Sequence, residues 1–587
     1  MFSLTFLPFE WRKFGLLNMC IMKMIFLFFS ILNFGTVDFH LVKTLKSDIV
    51  TNISDDIGIL FSQESENLGA MGTDYNVGPG QPLATISEVP WATLQAGDRV
   101  FIHWKPTPYK EKWVINRQGT AAEPIEIIGV NGPAGQQPII DGNGAVTVAG
   151  VNFWNEQRGV IKIGGSNTPA DGLPNYITID NLEIISGRPP YQFTDDNGQT
   201  QTYVDNAASI YVEKGANLII RNCTLSDSGN GVFIGAFGGA SENILIENNY
   251  IYDNGIDGSI FHHNTYTEAL GITYQYNRFG PLRTGALGNN LKDRSAGLVV
   301  RYNWIESGNR QLDLVDSGSS SLINDPSYDT THVYGNILIE PDGAGNSQIA
   351  HYGGDSGSTA NYRKGNLFFY NNTIVSTRIG NTTLIRLSTN DETAEVFNNT
   401  IFTTDTGNKF AMIDGAGTFN MDHNWLKTGW VDCHCTPSGI VNDLGNNVTG
   451  TDPLFVDLNV QDFGLQDNSP LINQGDVMPP SLLPDNNVTL EYVKHQNSAN
   501  RNTIGNLDIG AFEYQSQNGG GAGRVGIGTT SPQGVLDVVS NNSGLILPRV
   551  NSTSDVENPV NGMLIYDISV HCVKAFENGA WSNCLSN

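Results

Sequence analysis

At 587 residues, with 65 glycines and only 16% charged residues, the chain is too long for one ordinary globular core and has the turn-rich composition of an all-β protein. A formal net charge of -27 with no basic run excludes nucleic acid as a partner, because the phosphate backbone would be repelled. The surplus of carboxylates reads most simply as a solvated surface, with calcium as the cation such side chains would bind.

The chain opens on a segment unlike the rest. Lys23-Met-Ile-Phe-Leu-Phe-Phe-Ser-Ile-Leu-Asn-Phe-Gly35 places one basic residue before a short apolar run, which reads as a secretory leader over 1–35, starting from Met22 or Met24. A lipid-facing anchor is the alternative. Lys23 interrupts the apolar stretch, a spanning helix needs about 20 apolar residues, and nothing later reads as a membrane span. The expected location is outside the cell or on its surface. A polar segment over 36–79 follows.

From about 80 the pattern becomes repetitive. Pro82-Leu-Ala-Thr-Ile-Ser-Glu-Val-Pro-Trp-Ala-Thr-Leu94 and Leu94-Gln-Ala-Gly-Asp-Arg-Val-Phe-Ile102 read as a cap leading into a first strand. An Asn, one further residue and a large apolar residue then recur at Asn249-Tyr-Ile251, Asn277-Arg-Phe279, Asn303-Trp-Ile305, Asn336-Ile-Leu338, Asn372-Thr-Ile374, Asn399-Thr-Ile401 and Asn424-Trp-Leu426. The intervals of 28, 26, 33, 36, 27 and 25 residues fit one coil of a solenoid, the longer ones carrying loops. Weaker copies lie at Ile177–Ile184 and Leu218–Leu225. Each copy is a short β-branched strand, an Asn able to take left-handed backbone, and a second strand. A coil cannot bury its apolar face alone, so stacked coils share one core and the open end needs a cap. The expected fold is an all-β, right-handed parallel β-helix over 80–514, with an N-terminal cap and a small C-terminal β-rich module.

Asp452-Pro-Leu-Phe-Val456, Asp462-Phe-Gly-Leu465 and Asp508-Ile-Gly-Ala-Phe-Glu-Tyr514 read as the C-terminal closure, and the Gly-, Ser- and Gln-rich stretch over 515–523 as a linker. The module at 524–587 is carried by Val525-Gly-Ile-Gly-Thr-Thr-Ser-Pro532, Gly544-Leu-Ile-Leu-Pro-Arg-Val550 and Gly562-Met-Leu-Ile-Tyr566. It resembles a tail found on surface and secreted proteins of Bacteroidetes, related in style to phage tail-fibre ends. Its small core favours a disulfide, self-association or attachment to a cell surface. Cys572 and Cys584 flank a Glu577-Asn-Gly579 turn and suit a disulfide. Cys433-His-Cys435 lacks a second pair at zinc spacing and reads as a loop disulfide or free thiols. Cys223 occupies a repeat position where other coils carry Asn.

Titratable residues concentrate between Phe261 and Gly318. Counting 13 residues from Asn249, Asn277 and Asn303 reaches His262, Asn290 and Asp316; counting 15 reaches Asn264, Lys292 and Gly318. These positions are expected on one outward face, with His263, Leu291 and Ser317 inward. The window also holds Tyr266, Asp313 and Arg310, and Arg283 lies between its segments.

The elements His263-Asn-Thr-Tyr266, Lys292-Asp-Arg294 and Leu312-Asp-Leu314 resemble those of secreted right-handed β-helix proteins active on polysaccharides. Arg294-Ser-Ala-Gly297 falls near the "Asn-Lys-Ser" of the sixth polysaccharide lyase family, but Val315-Asp-Ser317 replaces that family's "Arg-His-Gly". The resemblance implies an acidic, uronate-containing polysaccharide as partner and cleavage by β-elimination. In that reaction a base takes the proton beside the carboxylate, an acid protonates the departing oxygen and a cation neutralises the carboxylate. Lys292 or His263 is the candidate base, Tyr266 the acid, and Arg294 or Arg310 the neutraliser. His262, Asn264, Asn290, Arg283 and Arg310 are candidate substrate contacts, and Asp313 with Asp316 a candidate calcium site. A glycoside hydrolase or a non-catalytic adhesin remains as an alternative.

Overall fold

The computed structural model describes residues 72–515 apart from 237–240, together with 525–527, 536–538, 540, 544–556 and 558–585. The expected leader, the polar segment up to 71 and the linker from 516 to 523 lie outside the described residues. Among the described residues no helix is long and apolar enough to cross a membrane.

Successive coils each add one strand to long sheets of 13, 11 and 13 strands, and the first two are parallel throughout. This is the parallel β-helix the repeat predicts, with the right hand that twisted strands impose on parallel crossovers. Strict register stacks like residues. In the first sheet Ile220, Ile246, Tyr274, Val300 and Val333 pair in turn and all point into the core. In the second, Leu225, Ile251, Phe279, Ile305 and Leu338 do the same. The large apolar residue of the repeated phrase is this inward rung.

The Asn of the phrase is a hydrogen-bond ladder inside the turn. Asn303 receives the backbone N–H of Asn277 on its Oδ1 at 3.0 Å and its Nδ2 at 2.9 Å, and repeats both bonds toward Asn336 at 2.9 and 3.0 Å. The pattern runs from Asn249 to Asn447, one coil beyond the predicted repeats, and Cys223 occupies its first rung by donating its N–H to Asn249. Turn backbone that would be orphaned in a buried corner is thereby paired. The residue before each rung from Asn249 to Asn424 takes left-handed backbone: Asn248, Asn371 and Asn398 do so, but so do Tyr276, Tyr302 and His423.

The boundaries differ from the expected 80–514. Asp74–Val77 already pairs with Arg99–His103, and the last coil strand is Val448–Gly450. The expected cap contains a three-residue 3-10 turn, Ile86–Glu88, whose Ile86 is buried with Trp91 and Leu94. Residues 452–514 are not coils. They double back over the outer face of the second sheet, where Phe455, Phe463, Tyr492 and Ile509 pack on Trp304, Ile337, Val375 and Trp425. Gln496 at the far end of this strap reaches the carbonyl of Asn248. Cys433–Cys435 and Cys572–Cys584 are disulfides, and Cys223 is buried and free.

Candidate functional site

The third sheet keeps an open outer face. Its strands include β1 (Gly159–Ile163), β2 (Ala208–Val212), β3 (Asn230–Ile234), β4 (Thr265–Thr267), β5 (Leu291–Asp293), β6 (Leu312–Leu314), β7 (Gln348–Tyr352) and β8 (Thr382–Leu387). The penultimate residue of each pairs with the next in one continuous row: Lys162, Tyr211, Phe233, Tyr266, Lys292, Asp313, His351 and Arg386. The row from Phe233 to Arg386 floors a cleft of about 940 Å³.

This register corrects the predicted one. Strands β4, β5 and β6 begin 16, 14 and 9 residues after Asn249, Asn277 and Asn303, because the intervening turn shortens from coil to coil. A constant count from the Asn therefore misplaces partners: Tyr266, Lys292 and Asp313 align, while His262, Asn290 and Asp316 do not.

The floor is one chain of hydrogen bonds. Arg294 Nε donates to the Tyr266 hydroxyl oxygen at 2.9 Å, and Arg294 Nη2 donates to Asp355 Oδ1 at 2.7 Å. Lys292 Nζ bridges Asp355 Oδ2, at 2.6 Å, and Asp313 Oδ2. Asp313 also accepts from Asn289 Nδ2 at 2.7 Å and faces His351 Nδ1 at 2.8 Å through Oδ1. His351 Nε2 lies 2.9 Å from Ser388 Oγ. Asp355 comes from a loop that leaves β7 through Gly353, at φ +126°, where a Cβ would meet Ser388 Oγ at 2.6 Å.

Burial sets the protonation states. It would raise Asp313 on its own, but Lys292, His351 and Arg310 outweigh it and hold the carboxyl well below the ordinary range. Asp355 is lowered in the same way, burial being overcome by Lys292 and Arg294. Burial would lower Arg294, yet Tyr266 and Asp355 push it up. His263 is driven well below its ordinary value by burial and then by Lys292, and burial also lowers His262 and His351. His263 Nδ1 accepts the N–H of Asn289 at 2.8 Å, so the proton of the neutral ring sits on Nε2. The ring stacks on Tyr266 with centroids 5.7 Å apart.

Of the predicted residues, the cleft gathers His262, His263, Tyr266, Lys292, Arg294, Arg310 and Asp313. Arg310 donates to Gln348 Oε1 through Nε at 2.9 Å, and burial lowers its pKa. Asn264 and Asn290 are instead fully buried and form a second interior ladder, in which Asn254 Nδ2 donates to Asn264 Oδ1 at 3.0 Å and Asn264 Nδ2 donates to Asn290 Oδ1 at 2.5 Å. Arg283 lies off the cleft, bonded to Asp227 at 2.7 Å. Asp313 and Asp316 do not converge: Asp316 accepts the N–H groups of Asp355 and Ser356, while the donors just described surround Asp313. That donor set does not fit a calcium site, and no metal-dependent step follows from it. Asp293, between Lys292 and Arg294 in sequence, points inward to a fully buried ion pair with Arg363 at 3.1 Å.

Sequence reasoning missed Arg158, Phe233, His351, Asp355 and Arg386. His351 was within reach of the count that finds Lys292, since it stands 15 residues after Asn336. Asp355 and Arg158 sit on loops between coils, where the repeat carries no signal.

Comparison with known proteins agrees with the fold. The model of a right-handed β-helix region matches residues 139–345, and that of a phage tail-like trimerisation region matches 526–587. No curated protein matches the chain. Among solved structures, the pectate lyase Pel9A is 11% identical with a TM-score of 0.41, covering 76% of this chain and 98% of its own. An alginate lyase from Paenibacillus sp. str. FPU-7 is 14% identical with a TM-score of 0.35, covering 56% and 92%. A lacto-N-biosidase from Eubacterium ramulus is 13% identical with a TM-score of 0.35, covering 70% and 73%.

Proposed function

We propose that the cleft binds an acidic, uronate-containing polysaccharide and cleaves it by β-elimination. The observation that carries this reading is charge. Among the described residues, five cationic side chains and three carboxylates line the cleft, in a chain whose net charge is -27. A local positive excess on an acidic protein suits an anionic polymer, and a groove floored by side chains at strand spacing, about 4.8 Å, suits successive sugars.

The partners of each group narrow its role. Lys292 Nζ is held between two carboxylates, donating to Asp313 and Asp355, and is engaged there rather than turned to the substrate as a base. His263 holds its single ring proton on Nε2 and serves as a donor to the substrate carboxylate, beside the third N–H of Lys292. Both nitrogens of His351 are engaged. Tyr266 is left as the group that moves a proton: acting as a phenolate with Arg294 Nε on its oxygen, it takes the proton beside the uronate carboxylate and becomes the phenol, then gives that proton to the departing glycosidic oxygen as the C–O bond breaks and the double bond forms, which regenerates the phenolate beside Arg294. A hydrolase would need one protonated carboxyl group of a pair, and Asp313 and Asp355, the two carboxyl groups on Lys292, are both held in the charged form and do not supply it between them.

The two disulfides support a working place outside the cell or on its surface. The exposed Leu545, Ile546, Val560 and Leu585 support self-association of the 524–587 tail. Incubating the protein with alginate, polygalacturonate and chondroitin sulfate while following ultraviolet absorbance tests the reaction. Unsaturated uronate ends are expected; new reducing ends without that absorbance indicate hydrolysis, and binding with neither indicates an adhesin.

A further inference from the structure

The cleft continues past the reacting groups onto an aromatic platform. Phe233 stacks on Tyr266 with centroids 5.1 Å apart, and Tyr211 adjoins Phe233 at 5.6 Å. Over both rings lies the guanidinium of Arg158, whose central carbon is 4.6 Å from each centroid. Arg158 ends a 3-10 turn, Glu156–Arg158, immediately before β1.

Every other cation lining the cleft is committed. Lys292 serves Asp313 and Asp355, Arg294 serves Asp355 and Asp316, Arg310 serves Gln348 and Asp313, and Arg386 faces Asp414 at 3.8 Å. Among the described residues the Arg158 side chain has no hydrogen bond and no ion pair, and its Nε is buried without a partner. Ring faces attract the cation but leave its N–H groups unused. A desolvated donor of this kind is costly unless something binds it. The guanidinium fork matches an anion with two oxygens in plane.

We infer that Arg158 is an anion subsite, binding the carboxylate or sulfate of the sugar that adjoins the one being cleaved. Phe233 and Tyr211 are one and two rungs from Tyr266, about 5–10 Å along the axis, which is the reach of the neighbouring sugar and not of the reacting one. The preferred substrate class is therefore a polymer with acidic groups on consecutive sugars. This inference rests on the reading of the cleft as a polysaccharide groove, but not on elimination.

The test is binding of the full chain to alginate, polygalacturonate, dextran sulfate and uncharged dextran, by affinity electrophoresis at low and high salt. The parent is expected to bind an anionic polymer and not dextran. Arg158→Gln should weaken that binding about tenfold or more, the worth of a charge-assisted pair. Arg158→Lys should recover part of it, and Arg99→Gln, which removes the same charge from an exposed pair with Asp74 outside the cleft, should bind as the parent does. Loss on alginate identifies the anion as carboxylate, and loss on dextran sulfate as sulfate. A parent that binds no anionic polymer, or Arg158→Gln within twofold of the parent, overturns the subsite. Unchanged thermal unfolding of Arg158→Gln is expected, and a failure of Arg158→Lys to recover any binding also counts against it. If Arg158→Gln loses binding while the parent yields no unsaturated ends, the subsite stands and the lyase reading falls. If the parent eliminates and Arg158→Gln matches it, the reverse holds.

Discussion

At Tyr266 and His263, burial and one backbone hydrogen bond narrow the roles that residue type alone leaves open. With Asn289 donating to Nδ1, His263 cannot accept a proton there without losing a buried bond. Tyr266 has Arg294 on its oxygen. Tyr266→Phe should lower turnover about 100-fold or more, in line with general acid–base contributions, with the circular dichroism of the coils unchanged. A rate near that of the parent would place proton transfer elsewhere. His263 also predicts a pH dependence of stability. Its folded pKa lies well below the unfolded value of about 6.5, so the unfolded chain binds the extra proton as pH falls. Stability should then decrease from about pH 7 to 5 by as much as 1.36 kcal/mol per unit for this group. His263→Asn should flatten that slope in thermal unfolding followed across the range, and an unchanged slope would contradict the buried neutral ring. Asp313 acts in the same direction at lower pH: its folded pKa is depressed, so its stabilisation is lost as pH falls through that value.

At the scale of the coil, buried polar rows fix the register as firmly as the apolar ones. Asn303 accepts from two groups of Asn277 and donates to Tyr274, Arg301 and Asn336. Asn303→Ala strands several of these, at about 1–3 kcal/mol for each buried group left unpaired, and should lower the denaturant midpoint clearly. A shift no larger than that of an exposed control such as Asn390→Ala would mean that the ladder is dispensable. The interior pair Asp293–Arg363 sits one residue from the cleft face and holds β5 from behind, with Arg363 Nε also donating to the carbonyl of Val315 at 2.9 Å. Arg363→Leu leaves Asp293 buried and unpaired and should cost about 3–5 kcal/mol, read as a lower denaturant midpoint. If Arg363→Leu unfolds at the same midpoint, the pair is not holding the strand.

For the whole molecule, the strap and the tail divide the labour. The strap seals the outer face of the second sheet with aromatic contacts such as Trp304 on Phe463 at 5.6 Å, and the cleft lies on the outer face of the third. Among the described residues the tail holds none that line the cleft. Truncation after Tyr514 should leave turnover on a soluble polymer intact while converting a self-associated species to a monomer, measured by light scattering on a sizing column. Lost turnover in a folded, truncated protein would tie the tail to catalysis, and an unchanged mass would remove its role in association.

The repeated Asn, read from sequence, determined the solenoid, its inward apolar rungs and the stretch of chain in which titratable residues meet. Those features obey a period, and a period survives in one dimension. Tyr266, Lys292, Arg294 and Asp313 were legible for the same reason, because each lies on or beside a coil strand. The phase between strands was not legible, since turn length varies between Asn249, Asn277 and Asn303 and a slip of one residue exchanges inside for outside. That is why Asn264 and Asn290 proved to be core residues. Only the tertiary structure decided which charges meet: Asp355 and Arg158 arrive from loops of free length, Asp293 turns inward to Arg363, and the protonation of His263 depends on a backbone N–H from the next coil. Electrostatic roles depend on contact distance and burial, and neither is written in the spacing of residues along a chain.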